Sequence, residues 1–474
     1  MPPRNSRKGC SHLVMSITSP PIATRHGRWQ AMLLGAASLV LLVVAGRTSR
    51  SLYFVWEEWT HLWDAVESPG WGLMQSFAGY VSPLGRLLFL VEAKVFGHWY
   101  TGYVLVNAAL MIAVVFLMWR TLRPSNAWAS WALVGGLVTF MLSGGSLFAI
   151  HFAAMDAYFL CWLFGILALL SWRKNKSSLV VLTFLAAAVL SSTLMNVVVA
   201  AFVMPTMVAL GRFGSEPQWS WTHIRGPLGY VAFAVSSSFL LYIVGRAFPS
   251  VDPLVGVEQS LVPTVGETIL DQVLPLAALL GVWFLVPFIG VFALNQDFYQ
   301  RAVIFLIDAP FVTALIFVIL AALVVMVLSL RWGGIGWKRG SLALLLLTSA
   351  VGFALQLVLF RGTQGYEVRY TLMWLPSIII FWSRLIDLAQ PTTLRLLARA
   401  GTVAMVVSGL AVTALAPLWV NQAVDLVRPR TELSLELKEA VDKCGDIAEP
   451  DVADVLAPGM PWEAVCDSAG FLRN

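Results

Sequence analysis

Long runs of apolar residues recur along most of the chain, and they limit the possible folds more than any other feature. A helix that crosses a membrane needs about 20 mostly apolar residues, and runs close to this length follow one another with short polar breaks. Apolar residues make up 58% of the chain and charged residues 12%, against about 45–50% and about 25% in an average soluble domain. These values predict an all-α fold, a polytopic bundle of transmembrane helices.

The apolar runs are on average about as long as one membrane span, and they predict about eleven crossings, within a range of roughly 10 to 13. The predicted spans are residues 31–46, 100–118, 128–148, 152–171, 179–194, 196–211, 228–246, 310–330, 341–359, 370–386 and 401–418. The break between the fifth and sixth spans is expected around Ser191, Ser192 and Asn196. The apolar run 276–294 is interpreted as re-entrant or interfacial, because a full crossing there would move the basic loop 331–339 to the outside.

Basic residues predict the orientation of the bundle. Residues 1–29 contain five Lys and Arg and no acid, which places this tail in the cytoplasm. An odd number of crossings then places the tail 419–474 outside the plasma membrane, after a bundle that covers residues 30–418. The net charge of +5 is spread over short clusters between apolar runs, so it does not indicate a nucleic-acid partner.

The outer tail contains two of the four cysteines, Cys444 and Cys466. Disulfides persist in oxidising compartments, so we expect these two residues to be bonded; two free thiols are the alternative.

The predicted first outer loop, residues 47–99, carries Glu57 and Glu58 between tryptophans. Tryptophan is common at a membrane interface, but adjacent carboxylates there are not explained by that preference. Such carboxylates can act as a general base or bind a divalent cation such as Mg²⁺ or Mn²⁺. An ordinary solvated acidic loop is the alternative.

Further polar residues are expected on the same outer side. Pro83 begins an amphipathic stretch to about residue 97 that contains Arg86, and we predict a helix along the membrane surface. His151 and Asp156 lie at the outer start of the fourth span, where ionisable groups are candidates for a functional site. A hydrogen-bonded structural histidine is the alternative for His151.

A late outer loop contains Arg361, Arg369 and Tyr370. The planar, permanently charged guanidinium group suits phosphate oxygens. Arginines that extend toward lipid headgroups without a specific ligand are the alternative.

This arrangement resembles the GT-C superfamily of membrane glycosyltransferases. The resemblance rests on Glu57 and Glu58 after the first span, the helix that begins near Pro83, and the late residues Arg361, Arg369 and Tyr370. It implies a polyprenyl-phosphate-linked sugar as donor, acids of the first outer loop at the catalytic site, and late arginines near the lipid phosphate.

The hypothesis is therefore a glycosyltransferase that uses a polyprenyl-phosphate sugar and an outer glycan, lipid or protein acceptor. Glu58 or Glu57 would deprotonate the acceptor hydroxyl, which displaces the lipid phosphate in line with inversion at the sugar carbon. Arg361 and Arg369 would neutralise the departing phosphate, while Asp156, His151 and Arg86 would bind substrate. The alternatives are a transporter or flippase of a lipid-linked or small solute, and a polysaccharide polymerase or ligase.

Overall fold

The computed structural model describes about half of the chain in continuous segments. These are residues 25–54, 57–67, 72–74, 81–122, 126–210, 221–247, 374–388, 392–425 and 462–473, with isolated residues between and beside them. Every regular element within these segments is a helix, so the predicted all-α class is confirmed for the described part of the chain.

The first four helices are two long ones with two short ones between them. Helix α1, Arg25–Thr48, and helix α4, Tyr100–Leu122, are long and apolar. Two shorter helices lie between them, α2, Glu57–Glu67, and α3, Pro83–Phe96. Helix α3 begins at Pro83 as predicted, because proline at the first helical position loses no hydrogen bond, and it ends before Gly97, whose φ of 52° suits glycine.

The prediction of one continuous span over residues 128–148 is wrong. This stretch forms two helices, α5, Ala127–Leu142, and α6, Gly144–Ile150, with extended backbone at Ser143. The Ser143 hydroxyl accepts a hydrogen bond from the N–H of Ser146 at 3.3 Å, which stabilises the start of α6 in the manner of an N-cap.

The following helices agree more closely with the predicted spans. Helix α7 covers Asp156–Arg173, α8 Ser178–Ser191, α9 Thr193–Leu210 and α10 Trp221–Arg246. The predicted break between the fifth and sixth spans occurs at Ser192, which is extended and separates α8 from α9.

Three more helices complete the described part. Helix α11 covers Leu375–Leu388, α12 Thr392–Asp425 and α13 Trp462–Arg473. The predicted span 310–330 and the apolar run 276–294 lie outside the described residues, apart from two positions in the latter, as does most of the span 341–359.

Five of the described helices are long and apolar enough to cross a membrane. They contain the segments His26–Thr48, Tyr100–Leu122, Ala153–Arg173, Ile224–Gly245 and Arg395–Pro417. Large apolar side chains such as Leu39, Val43, Phe239 and Val407 point outward from three of them and are each more than half exposed. Soluble proteins rarely expose so much apolar surface, so these helices indicate a membrane protein.

The helices pack closely where small residues meet. A Cβ atom at Gly135 of α5 would lie 2.6 Å from the carbonyl oxygen of Met405 in α12, and one at Gly409 would lie 2.9 Å from the oxygen of Gly135. Small residues allow this backbone approach in membrane helices. Helix α4 packs on α7 and α1, and Tyr103 of α4 and Phe159 and Trp162 of α7 are buried.

The C-terminal helix α13 packs against α2 and α3. Its apolar residues Val465, Ala469 and Leu472 are buried at helical spacing. The tail helix therefore lies at the end of the bundle where α1 ends, which is the same end as α2 and α3.

Candidate functional site

Four buried carboxyl groups, which we call the carboxyl cluster, lie on α2, α3 and α7 at this end of the bundle; they belong to Glu58, Asp64, Glu92 and Asp156. All four side chains are at most 4% exposed. They come from three helices, since Glu58 and Asp64 are on α2, Glu92 is on α3 and Asp156 begins α7. Ionised groups are rarely buried without partners, so the contacts of each carboxyl group decide what the cluster can do.

Glu58 connects α2 to the turn before α7. Its Oε1 atom accepts a hydrogen bond from the main-chain N–H of Ala153 at 2.5 Å and lies 2.8 Å from the hydroxyl of Tyr100. The Tyr100 hydroxyl also lies 2.9 Å from the carbonyl oxygen of His151, so its single proton can be donated to either oxygen. These contacts fix the orientation of the Glu58 carboxyl group.

Asn107 on α4 holds the turn that carries Ala153. Its side-chain amide donates to the carbonyl oxygens of Phe152, at 2.7 Å, and Ile150, at 3.3 Å. The amide is fully buried, so these bonds are made away from water, where a lost partner is costly. The position of the Ala153 N–H against Glu58 therefore depends on α4.

His151 makes structural contacts on both ring nitrogens. Nδ1 lies 2.5 Å from the carbonyl oxygen of Leu147, and Nε2 lies 2.5 Å from the hydroxyl of Thr48. Burial lowers the pKa of His151, which favours a neutral ring with Nδ1 as donor and Nε2 as acceptor. The histidine thus ties the end of α1 to the end of α6, as in the structural alternative considered for it.

Asp64 forms an ion pair with Arg86 across α2 and α3. The Arg86 Nη1 atom lies 3.4 Å from Oδ2 of Asp64, and both side chains are 4% exposed. The same nitrogen donates to the carbonyl oxygen of Gly72. Burial, and then the charge of Arg86, lower the pKa of His61. Arg86, predicted to bind substrate, therefore fixes the packing of the two short helices.

Glu92 and Asp156 face each other between α3 and α7. Burial, and then repulsion from Asp156, raise the pKa of Glu92 to about 9. Within the described residues, neither Glu92 oxygen has a hydrogen-bond partner, nor has Oδ2 of Asp156; Oδ1 of Asp156 accepts from the N–H of Ala157 at 2.5 Å. Buried polar atoms without partners are uncommon, and a strongly raised pKa beside a second carboxyl group is frequent at functional sites.

Aromatic rings surround the cluster. Phe54 contacts Trp59, Phe89, Tyr100 and Tyr103 with ring centroids 5.2–6.4 Å apart. These edge-to-face contacts are favourable beyond the area that they bury. They fill the space beside Tyr100, whose hydroxyl contacts Glu58.

Helix α13 packs on the outside of α2 and α3. The Lys94 ammonium group lies 3.3 Å from the carbonyl oxygen of Phe471 and 3.9 Å from the centroid of its ring. A Cβ atom at Gly97 would lie 2.8 Å from the carbonyl oxygen of Leu472. Cys466 of α13 is bonded to Cys444, 22 positions earlier in the chain. The disulfide therefore links α13, which packs on α2 and α3, to the chain at Cys444.

The predicted site residues divide into three groups. Glu58, Arg86, His151 and Asp156 are brought together in and around the carboxyl cluster. Glu57 belongs to α2, but the structure does not describe its side chain. Arg361, Arg369 and Tyr370 lie outside the described residues. The cluster also contains two acids that were not predicted as site residues, Asp64 and Glu92.

A signal for Glu92 was present in the sequence. Gly85, Phe89 and Glu92 recur at helical spacing and share the buried face of α3, so a charged residue replaces an apolar one in that stripe. The pairing with Asp156 had no such signal, because it depends on the packing of α3 against α7.

Within the described part of the chain, no three His, Cys, Asp or Glu side chains are grouped so as to hold a metal ion. The pair Glu57 and Glu58, considered from the sequence as ligands of Mg²⁺ or Mn²⁺, is not tested by this, because the Glu57 side chain lies outside the described residues.

No protein-family model matches the chain, and neither a curated protein nor a solved structure is similar to it at a significant level.

Proposed function

We propose that the protein is a membrane glycosyltransferase that transfers a sugar from a polyprenyl-phosphate donor to a hydroxyl-bearing acceptor. The observation that carries the proposal is the presence of four buried carboxyl groups on α2, α3 and the start of α7, at one end of an apolar bundle. A glycosyl transfer with a lipid-linked donor needs a base for the acceptor at the membrane boundary, with the lipid held beside it.

Glu58 is the proposed base. Its Oε1 atom accepts a hydrogen bond from the Ala153 N–H and lies 2.8 Å from the Tyr100 hydroxyl, so the carboxyl group is held in one orientation. Glu92 is less suited, since its raised pKa keeps it protonated at neutral pH. In the proposed step the Glu58 carboxylate takes the proton of the acceptor hydroxyl. The acceptor oxygen then forms a bond to the sugar carbon as the bond to the lipid phosphate breaks, and the electron pair leaves with the phosphate.

Other residues are proposed to position the groups that react. Tyr100 orients the Glu58 carboxyl group through its hydroxyl, and Asp156 contacts the sugar. Arg361 and Arg369, with Tyr370, remain the proposed partners of the lipid phosphate on sequence grounds. Because Glu58 is fully buried, the proposed reaction requires a local movement that opens a path for the acceptor.

The test uses the purified full-length protein in lipid nanodiscs with a panel of radiolabelled polyprenyl-phosphate sugars. Transfer of one labelled sugar to water or an added acceptor, lost in Asp156→Asn and retained in Glu67→Gln, would support the proposal. Glu67 is the matched control because it is an exposed acid on α2. Folded protein that transfers no sugar from any donor would contradict it.

A proton-coupled transporter is the second candidate. The specific observation in its favour is the buried pair Glu92 and Asp156, in which the carboxyl group of Glu92 holds its proton up to about pH 9. A transporter would use such a group as a proton carrier. Proton uptake by proteoliposomes that depends on Glu92 and on an added solute, in the absence of sugar transfer, would favour this candidate.

A further inference from the structure

A cavity of about 610 Å³ opens between the end of α1 and the beginning of α4. None of the acids of the carboxyl cluster lines it. The lining residues used below are Leu42, Val43, Arg47, Arg50, Trp99 and Leu105. Its size is in the range of small-molecule sites, and it has both a charged and an apolar part.

Two arginines form the charged part. Arg47 is in the last turn of α1 and Arg50 is three positions later, so both guanidinium groups lie near the same end of the helix. Both side chains are exposed, and no carboxyl group of the described residues forms an ion pair with either. Two cations next to each other without an acid repel, and an anion between them would remove that cost.

Aliphatic side chains form the other part. Leu42 and Val43 on α1 and Leu105 on α4 line the cavity toward the middle of both membrane-length helices. Val43 is 60% exposed, and Trp99 at the rim is 56% exposed. Tryptophan is enriched at the level of lipid headgroups, so its position places the arginines at headgroup depth and the aliphatic residues at the depth of the acyl chains.

We propose that this cavity binds an anionic phospholipid of the surrounding bilayer. The phosphate of the headgroup lies between Arg47 and Arg50, and one acyl chain follows Leu42, Val43 and Leu105. Basic pockets between membrane helices are suited to such headgroups, and the guanidinium fork suits the phosphate oxygens. This inference does not depend on the proposed glycosyl transfer.

The test is native mass spectrometry of the full-length protein titrated with phosphatidylglycerol and, separately, phosphatidylcholine. We expect phosphatidylglycerol to be retained preferentially, and its affinity to fall about thirtyfold in the double variant Arg47→Gln, Arg50→Gln, since each basic residue near an anionic headgroup contributes roughly fivefold. The variant Arg47→Lys, Arg50→Lys should keep most of the affinity. Lys174→Gln, Lys176→Gln is the matched control, because both lysines are exposed in the turn between α7 and α8.

Several outcomes would overturn the proposal. Equal retention of the two lipids would show that the anionic headgroup is not recognised. An equal loss of affinity in the lysine control would show that net charge, and not this cavity, determines binding. Displacement of the bound lipid by inorganic phosphate alone would indicate an anion site without an acyl chain. Displacement by a polyprenyl phosphate at a lower mole fraction would identify that lipid, and not a phospholipid, as the occupant.

Discussion

The carboxyl group of Glu58 accepts a hydrogen bond at 2.5 Å from the main-chain N–H of Ala153, which lies 95 positions later in the chain. This contact joins the short helix α2 to the turn between α6 and α7. It holds Glu58 against the turn that immediately precedes Asp156 and α7.

The stability of the protein should fall as the pH rises from about 5 to 9, and Glu92 should cause much of this fall. Its pKa is raised from 4.5 to about 9 in the folded state, so the folded protein keeps a proton that the unfolded chain releases. The contribution of Glu92 to the free energy of unfolding is therefore fully present below pH 4.5. It decreases as the pH approaches 9, by at most about 1.4 kcal/mol for each pH unit. Thermal unfolding in detergent across this range measures the effect.

The variant Glu92→Gln should flatten that pH dependence, because a neutral amide cannot ionise. Glu67→Gln, which changes an exposed acid, should leave the slope as in the wild type. A Glu92→Gln variant with the wild-type slope would contradict the burial of a protonated carboxyl group at this position.

Gly85 should be required for the approach of α3 to α7. A Cβ atom there would lie 2.4 Å from the Cβ of Ala157, a distance at which one helix must move. We expect Gly85→Ala to lower the free energy of unfolding by about 1–3 kcal/mol, the usual cost of overpacking. Gly35→Ala is the matched control, because a Cβ atom at Gly35 meets nothing within 4 Å, and it should leave the melting temperature unchanged or raised.

Neutralising the acid of the ion pair between Asp64 and Arg86 should lower the free energy of unfolding more than neutralising the acid of the pair between Arg384 and Asp387. Asp64→Asn leaves a buried cation without its carboxylate, and such changes typically cost about 3–5 kcal/mol. In the other pair Arg384 is 20% exposed, so water screens the charge that remains and Asp387→Asn should cost less. Equal losses of melting temperature in the two variants would argue against a buried pair at α2 and α3.

Breaking the disulfide should loosen α13 from α2 and α3. The bond joins residues 22 positions apart, and a loop of this size contributes about 3 kcal/mol in the chain-entropy description. Cys466→Ser should therefore speed hydrogen exchange over residues 462–473. Cys161→Ala, which removes a buried thiol elsewhere, should not; unchanged exchange in Cys466→Ser would mean that packing alone holds the helix.

Features that depend on local sequence patterns could be predicted from the sequence. The long apolar runs predicted α1, α4, α7 and α10, because a membrane helix is recognised from length and hydropathy. Pro83 marked the start of α3, and the small polar residues near Ser192 marked the break between α8 and α9.

Features that depend on distant contacts were not predictable in the same way. The division between α5 and α6 was missed because the apolar run continues past Ser143, although Gly144 and Gly145 follow it as typical breakers. Glu58 was identified from its neighbours in the sequence, but its burial against Ala153 was not, since nothing in the pattern relates positions 95 apart. The ion pair of Arg86 with Asp64 was likewise not predictable, and the predicted contact of Arg86 with a substrate stays a prediction.

The most direct measurement is single-turnover transfer from a radiolabelled polyprenyl-phosphate sugar by the wild type and by Glu58→Gln in nanodiscs. Glutamine keeps an oxygen that can accept from Ala153 and Tyr100, so the fold should be retained, as the melting temperature would verify. We predict that the rate falls at least about 100-fold, the usual contribution of a general base, while Glu67→Gln transfers at the wild-type rate. Transfer by folded Glu58→Gln at the wild-type rate would contradict the account.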